Sequence, residues 1–322
     1  MVSGSTGAHR GPGRFCHEAF FYSDEDDCVG AMSAFVEEGL RVGEPALVAL
    51  SAQRIALLQE RLSGPDEAVS YVDMAVAGRN PASIIPLWVD FVNAHSGRPS
   101  RGIGEPIWAE RTPAELAECQ RHEALLNVAF TGGGGLRLMC PYDTTALGDD
   151  IVAEARRTHP FVRHGHDGTV NPEFVGVEAL AAPFTEPLPD PPRHTPAMAF
   201  DSSGLSDVRR AVRAAAAAAG LAPSRVADAV LAVNEVATNS LRHGGGGGHL
   251  RVWSADMAFV CEVSDSGSIS EPMVGRRRPT IGAGGGRGLW IVNQLCDLAQ
   301  VRSTPTGTTV RMHLGPSAPG GT

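Results

Sequence analysis

One amphipathic helix with a hard stop constrains this chain more than any other stretch. Residues 231–243 read Leu-Ala-Val-Asn-Glu-Val-Ala-Thr-Asn-Ser-Leu-Arg-His and run directly into five glycines, Gly244 to Gly248. At 3.6 residues per turn Val226, Val230, Val233 and Ala237 fall on one face, and Asp228, Glu235, Asn239 and Arg242 on the opposite one. Pro223 suits the first turn, where no helical partner awaits its N–H, and Gly244 suits the position past the last one. Glu235 and Asn239, four apart, project a carboxylate and an amide side by side from successive turns. The carboxylate can take a proton from a hydroxyl or water, and the amide oxygen is a hard ligand able to hold Mg²⁺ beside a phosphate. Taken alone, the pair reads more simply as a solvated helix face.

Three later segments change that weighting. Val263-Ser-Asp-Ser-Gly267 ends an apolar run, Phe259 to Val263, so a buried strand would deliver the Asp265 carboxylate to a pocket mouth, where it can accept from an exocyclic N–H. Asp-Ser-Gly is also good turn chemistry. The glycines from Gly282 to Gly288, including Gly284 and Gly286, let backbone N–H groups approach phosphate oxygens, and a helix opening near Gly288 adds a positive dipole end. A plain surface loop is the other reading of that segment. Arg287, set among these glycines, is placed either to reach a γ-phosphate or to stay solvated. Thr306-Gly-Thr-Thr-Val310 closes the series.

In this order the four segments resemble the nucleotide-binding boxes of the GHKL (Bergerat-type, histidine kinase-like) ATPase superfamily, which includes DNA gyrase, sensor histidine kinases and the serine kinases that act as anti-sigma factors. The resemblance covers roughly Thr195 to Leu314. It implies an α+β sandwich that binds ATP with Mg²⁺: Glu235 and Asn239 as the first box, Asn239 on the metal, Asp265 on the adenine amino group with Gly267 beside it, the lid over the phosphates, and Gly307 with Thr308 at the last strand. Ser268 stands where many relatives carry another glycine. The wording Glu-Val-Ala-Thr-Asn-Ser-Leu-Arg-His and Gly-Arg-Gly-Leu-Trp-Ile-Val-Asn-Gln-Leu is most similar to the anti-sigma branch.

Composition narrows the alternatives. A length of 322 residues leaves room for two domains of ordinary size. All 27 Lys-plus-Arg positions are arginine, which excludes a P-loop, a Schiff-base enzyme and the usual eukaryotic-type kinase site, each of which needs a lysine. A formal net charge of −9 argues against direct nucleic-acid binding and for a protein partner. No apolar run approaches the roughly 20 residues of a membrane span, and Met1 to Arg14 lacks the apolar core of a signal peptide, so a cytoplasmic protein is expected. The six cysteines form no close pairs and are expected to be buried free thiols.

From Phe15 to about Leu180, short apolar strands alternate with amphipathic helices. Strands are expected at 20–22, 46–50, 69–74 and 136–140, and helices at 25–40, 51–62, 81–95 and 112–130, the last opened by the capping box Thr112-Pro-Ala-Glu115. Such alternation implies a parallel sheet covered on both faces. The phrases His17-Glu-Ala-Phe-Phe-Tyr22, Gly39-Leu-Arg-Val-Gly-Glu-Pro45, Arg121-His-Glu-Ala-Leu-Leu-Asn127, Cys140-Pro-Tyr-Asp143 and Thr158-His-Pro160 resemble the MEDS sensory domain of methanogen and methylotroph sensors. That resemblance implies a RecA-like α/β fold without a working P-loop. His17-Glu18 and His122-Glu123 each lack the second histidine of a zinc-binding helix, and no helical hairpin marks His122 as a phosphoacceptor. His159, His164, His166 and Asp167 are close in sequence, and a histidine-bearing surface loop explains them more simply than a metal does.

The expected organisation is a disordered lead-in (1–14), a sensory α/β domain (15–180), a proline-rich extended linker (181–196), the ATPase domain (197–314) and a loose tail (315–322). Within the ATPase part, strands at 197–200, 250–253, 258–263, 299–303 and 309–314 are expected to make a mixed sheet, with a helix at 206–219. The resemblance implies an anti-sigma factor that binds a sigma factor or phosphorylates a serine of an anti-anti-sigma partner, with Glu235 accepting the serine proton and Gly284 to Gly288 wrapping the γ-phosphate. Its rivals are a nucleotide-gated binding module without chemistry, a two-component histidine kinase, and a degenerate ATPase used as a homodimer scaffold.

Overall fold

The computed structural model describes residues 13–63, 66–95, 98–164, 167–176, 186–255, 258–279 and 286–316. Most of the expected lead-in, the first residues of the linker, His166, Gly284 and most of the tail lie outside the described residues. The chain divides into two compact units, Met1–Ala77 with Leu87–Ala179, and Gly78–Pro86 with Leu180–Thr322.

The first unit is α/β. In chain order it contains β1 (Cys16–Tyr22), α1 (Glu25–Arg41), β2 (Ala46–Leu50), α2 (Ala52–Arg61), β3 (Val69–Asp73), α3 (Met74–Ala77), α4 (Ile84–Ala94, entered from the second unit), β4 (Ser100–Gly104), α5 (Pro113–Ala129), β5 (Leu136–Asp143), α6 (Asp149–Thr158), β6 (Phe161–His164) and β7 (Asp167–Val170). The sheet order is β3-β2-β4-β5-β1-β6-β7, parallel throughout except for the antiparallel edge pair β6–β7. Every residue of β2 and β4 is buried, as both faces of a covered parallel sheet require.

Local chemistry sets the boundaries. Asp24 caps α1 by accepting from Asp27 N at 3.0 Å, and Ser51 caps α2 by accepting from Arg54 N at 3.3 Å. The Thr112–Glu115 capping box is complete in both directions. The helix expected over 81–95 is instead a 3₁₀ turn, Pro81–Ser83, followed by α4. Asn80 caps the turn through Ala82 N, and Pro86, in the first turn of α4, has no N–H for the continuous ladder a single helix would need.

An ionic network closes the N-terminal edge of this sheet. Glu18, fully buried, accepts from Arg163 Nε at 2.8 Å, Arg137 Nη2 at 3.3 Å and the Cys16 thiol at 3.1 Å. Arg101, at the start of β4, donates to Glu44 and Glu38 at 2.6 Å each and to Phe35 O at 2.8 Å. The guanidinium groups of Arg101, Arg137 and Arg163 lie 4.8, 5.7 and 5.0 Å from the centre of the Phe35 ring.

The second unit is an α+β sandwich: β8 (Met198–Asp201), α7 (Leu205–Ala218), α8 (Pro223–His243), β9 (Gly247–Ala255), β10 (Ala258–Asp265), α9 (Arg287–Leu295), β11 (Leu298–Thr304) and β12 (Gly307–Leu314). Val208, Val212 and Ala216 of α7, Val226, Val230, Val233 and Ala237 of α8, and Leu289 and Val292 of α9 share one core with Leu250, Phe259, Cys261, Val263, Val310 and Met312 of the sheet. Burying each such valine or leucine stabilises the fold by roughly 1.5–3 kcal/mol. The α8 residues include all those assigned to its apolar face by periodicity.

The sheet corrects one expectation. Its order is β11-β12-β10-β9-β8, and every neighbouring pair is antiparallel, so it is not mixed. Two helices return the chain between β8 and β9, which reverses its direction. One helix joins β10 to β11, leaving those strands parallel, but β12 lies between them. Among the described residues no helix is long and apolar enough to cross a membrane, and all six cysteines are free and buried.

Candidate nucleotide-binding site

The end of α8 and the end of β10 meet. Gly244 stops α8, its N–H donating to Ser240 O at 2.8 Å. Asp265, the last residue of β10, accepts from Ser240 Oγ at 2.6 Å through Oδ2 and from Gly267 N at 2.8 Å through Oδ1. Two of the roughly four lone-pair positions of that carboxylate are thereby used and the others stay open. Gly267 is required where it stands, because a Cβ there would come 2.5 Å from His243 O. Behind it, Thr308 Oγ1 donates to Gly267 O at 2.9 Å and Ser303 Oγ lies 2.9 Å from the Thr308 hydroxyl. Ser303 Oγ also accepts from Ile269 N at 2.7 Å, so the loop after β10 is tied to β11 and β12.

Glu235 and Asn239 face the same space from α8. Their common neighbour is Gly288, in the first turn of α9, where a Cβ would lie 3.2 Å from Glu235 Oε2 and 3.0 Å from Asn239 Nδ2. Gly286, the N-cap of α9, takes a left-handed φ of 84° that a side chain would resist. The first backbone bond of this helix runs from Trp290 N to Gly286 O, which leaves the N–H groups of Arg287, Gly288 and Leu289 without helical partners. Such a terminus favours an anion.

These elements enclose a cavity of about 550 Å³ lined by Glu235, Asn239, Asp265, Gly267, Gly286, Arg287, Gly288 and Thr308, with Val236, Ile269, Val274, Leu289 and Val310 supplying apolar wall. Its size and mixed lining suit a ligand with a flat apolar part and a charged part. The structure thus gathers Glu235, Asn239, Asp265, Gly267, Gly286, Arg287, Gly288 and Thr308 into one cavity, while Gly282, Gly284 and Gly285 of the expected lid fall outside the described residues. The sequence reading passed over Ser240. Its place on the apolar face, three residues after Ala237, was the available signal, and the structure buries it fully with Asp265 as its partner.

A second cavity, of about 370 Å³, opens in the first unit at the carboxyl ends of its parallel strands, where ligands of open α/β sheets commonly bind. Tyr22, Arg54, Glu105, Trp108 and Asp143 line it. Burial pushes the Glu105 carboxyl up to about 7 against the opposing pull of Arg54, which hydrogen-bonds both Glu105 and Tyr22. The strand pattern gave no indication of this cavity.

The family comparisons bear on both halves of the chain. The chain carries a histidine kinase-like ATPase domain over residues 198–314 and a MEDS domain (methanogen/methylotroph, DcmR sensory domain) over residues 16–160.

Among solved structures the chain is similar to the RsbU and RsbW domains of Rv1364c from Mycobacterium tuberculosis, at 23% identity over 38% of this chain and 32% of that one, TM-score 0.29. It is also similar to the SiaB–SiaC complex from Pseudomonas aeruginosa, at 12% identity over 36% of this chain and 88% of that one, TM-score 0.30. A third is the histidine kinase AdeS from Acinetobacter baumannii, at 12% identity over 38% and 69%, TM-score 0.22. The match spans about a third of the length of the first of these. No curated protein matches the chain.

Proposed function

We propose that this protein is an ATP-binding regulator of the anti-sigma kind, which phosphorylates a serine of an anti-anti-sigma partner under control of its MEDS domain. One observation carries the reading: Glu235, Asn239 and Asp265 line a single cavity whose mouth holds the N-terminus of α9. Asp265, held by Ser240 and Gly267, accepts from the adenine amino group. The N–H groups at the start of α9, with Gly286 and Gly288, surround the γ-phosphate, and Arg287 adds charge there; Gly284, expected in the same lid, lies outside the described residues.

The Asn239 oxygen is the group that would hold Mg²⁺, and it suits that role. Mg²⁺ keeps several waters and takes few protein ligands beside phosphate oxygens, so one hard amide donor in a wet cavity is enough. The ion supplies charge neutralisation on the phosphates. Glu235, one turn before Asn239, accepts the proton of the incoming serine hydroxyl as its oxygen attacks the γ-phosphorus and the bond to the β-phosphate oxygen breaks. Positioning and electrostatics carry most of the rate in such a transfer.

The full chain with radiolabelled ATP, Mg²⁺ and the partner recovered by co-purification tests this. Wild type is expected to place acid-stable phosphate on a partner serine, and Glu235→Gln to slow that transfer about 10²–10⁴-fold with ATP affinity retained. Equal rates in wild type and variant would show that Glu235 is not the base. Acid-labile phosphate on the chain itself would favour the histidine kinase reading, and tight ATP binding without transfer would leave a nucleotide-gated binding module.

Asn239→Ala separates the metal from the base. It is expected to abolish the gain in ATP affinity that Mg²⁺ gives wild type, a loss of about tenfold or more, of the size seen when a metal site loses a supporting group. Calorimetric titrations with and without Mg²⁺ measure it, and an unchanged Mg²⁺ dependence would remove Asn239 from the metal.

A further inference from the structure

Four side chains from four separate places in the first unit meet in its interior. His17 of β1, Glu123 of α5, Cys140 of β5 and His159, the residue after α6, are each at most 1% exposed, and their ligand atoms lie within 4.8 Å of one another. Glu123 Oε2 is 2.9 Å from His17 Nε2, 3.2 Å from His159 Nε2 and 3.6 Å from Cys140 Sγ, and Cys140 Sγ is 3.4 Å from His17 Nε2. Bonds of about 2.0–2.3 Å from one tetrahedral ion to nitrogen, oxygen and sulfur set such atoms roughly 3.2–3.7 Å apart; the four separations just given straddle that range, and a shift of about 1 Å would bring in the widest, 4.8 Å.

The surrounding hydrogen bonds fix the ring protons. Asn127 Nδ2 donates to Thr158 O at 2.8 Å, Glu123 O at 3.2 Å and Ala124 O at 3.3 Å, which turns its Oδ1 toward His17 Nδ1 at 3.3 Å. An amide oxygen only accepts, so His17 carries a proton on Nδ1. Ala155 O, 2.7 Å from His159 Nδ1, places a proton there too. In each neutral ring the remaining lone pair sits on Nε2, and both lone pairs face the Glu123 carboxylate.

Three acceptors facing one another repel unless something positive sits among them. Glu123 Oε1 and His159 Nε2 have no hydrogen-bond partner among the described residues. One shared proton would quiet one of these contacts; a divalent cation satisfies all of them. Charge gives the same answer, since one carboxylate, one thiolate and two neutral imidazoles cancel a double positive charge, leaving nothing net to bury.

We propose that His17, Glu123, Cys140 and His159 form a closed metal centre that takes a divalent transition ion, zinc by its donor set. On binding, the Cys140 S–H bond gives up its proton to solvent as the metal–sulfur bond forms, and nothing is oxidised or reduced. Four protein ligands leave no open position, as in structural rather than catalytic zinc sites. The two Nδ1–H donations, to Asn127 and Ala155, are the outer contacts that ordinarily orient ligating histidines. The ion would tie β1, α5, β5 and the end of α6 together at one point.

The test uses the full chain produced in zinc-supplemented medium, and in parallel refolded with Co²⁺. About one equivalent of zinc per chain is expected, along with cobalt bands of a tetrahedral site and a thiolate-to-cobalt charge-transfer band. Cys140→Ser is expected to lose the charge-transfer band, while Cys119→Ser, which alters a buried thiol outside the cluster, keeps it. X-ray absorption on wild-type protein, independent of any variant's folding, is expected to show one sulfur near 2.3 Å and nitrogen or oxygen at about 2.0–2.2 Å. Folded chain with less than a tenth of an equivalent of transition metal and no cobalt spectrum would overturn the proposal in favour of a shared proton, as would a charge-transfer band that persists in Cys140→Ser.

Discussion

Asp265→Asn is expected to weaken ATP binding about 100-fold or more without unfolding the chain. The carboxylate uses Oδ2 for the Ser240 hydroxyl and Oδ1 for Gly267 N–H, and offers its remaining lone pairs to the cavity. Asparagine keeps one oxygen and turns an NH₂ toward one of these donors, so an internal bond is lost and a donor faces another donor. A site built to hydrogen-bond a ligand N–H loses far more when its acceptor is removed than a hydrophobic pocket loses with a methylene; a factor of 100 corresponds to about 2.7 kcal/mol. Selectivity should change in the same experiment. Adenine presents an exocyclic donor where guanine presents an oxygen, so wild type is expected to prefer ATP strongly over GTP and the variant to lose most of that preference. Calorimetry with both nucleotides, beside circular dichroism to verify folding, measures it. A variant that binds ATP within threefold of wild type would take Asp265 out of the nucleotide site and with it the best support for the proposed function.

How much of this was legible in the sequence depended on whether a residue's role was set by near neighbours. Helix α8 could be read because its apolar face recurs every turn and its stop is chemical. The α5 capping box is complete within four residues. Strand β4 was not legible: Ser-Arg-Gly-Ile-Gly carries almost no apolar signal, and its glycines are there because a Cβ at Gly102 or Gly104 would come within 2.7 Å of the Trp88 ring. That reason lies on another element. The antiparallel order of the second sheet was hidden likewise, since nothing local to β10 or β11 says that β12 will lie between them.

The buried cluster of the first unit is the sharper case. His17-Glu18 and His122-Glu123 do not fit a zinc-binding template that needs both histidines on one helix. Strand alternation instead sends His17 to Glu123 and the adjacent Glu18 to Arg163, on opposite faces of β1. Glu123 and Asn127 repeat the spacing of Glu235 and Asn239. One pair is buried among histidines and the other lines an open cavity, so the spacing alone assigns neither role.

Glu18→Ala is expected to destabilise the first unit by about 3–5 kcal/mol, because the alanine removes the buried carboxylate that Arg163, Arg137 and the Cys16 thiol all donate to. A buried ion pair adds little compared with a well-packed apolar replacement, but removing one member leaves the other's charge uncompensated. Arg101 and Arg137 also stand around Phe35, and Arg101 keeps Glu38 and Glu44 as its own counter-charges. Glu18→Gln keeps the shape and one acceptor and should cost less, about 1.5–3 kcal/mol for a hydrogen bond to a charged group. The pH dependence has a definite sign. Burial pushes the Glu18 carboxyl up, but Arg163, the Cys16 thiol and Arg137 outweigh it and hold it below its ordinary value of 4.5. A carboxyl depressed in the folded state contributes stability that is complete above the unfolded value and is lost as pH falls through the folded one. Wild type should therefore lose stability in the first unit below about pH 4.5, while Glu18→Gln lacks this part of the acid response. Native-state hydrogen exchange on β1 and β5 amides reads this unit separately from the other, which a global unfolding curve of a two-unit chain does not. A change below about 1 kcal/mol in Glu18→Ala would mean that water reaches Arg163 once the carboxylate is gone, and that the network at this edge of the sheet is less dry than its burial implies.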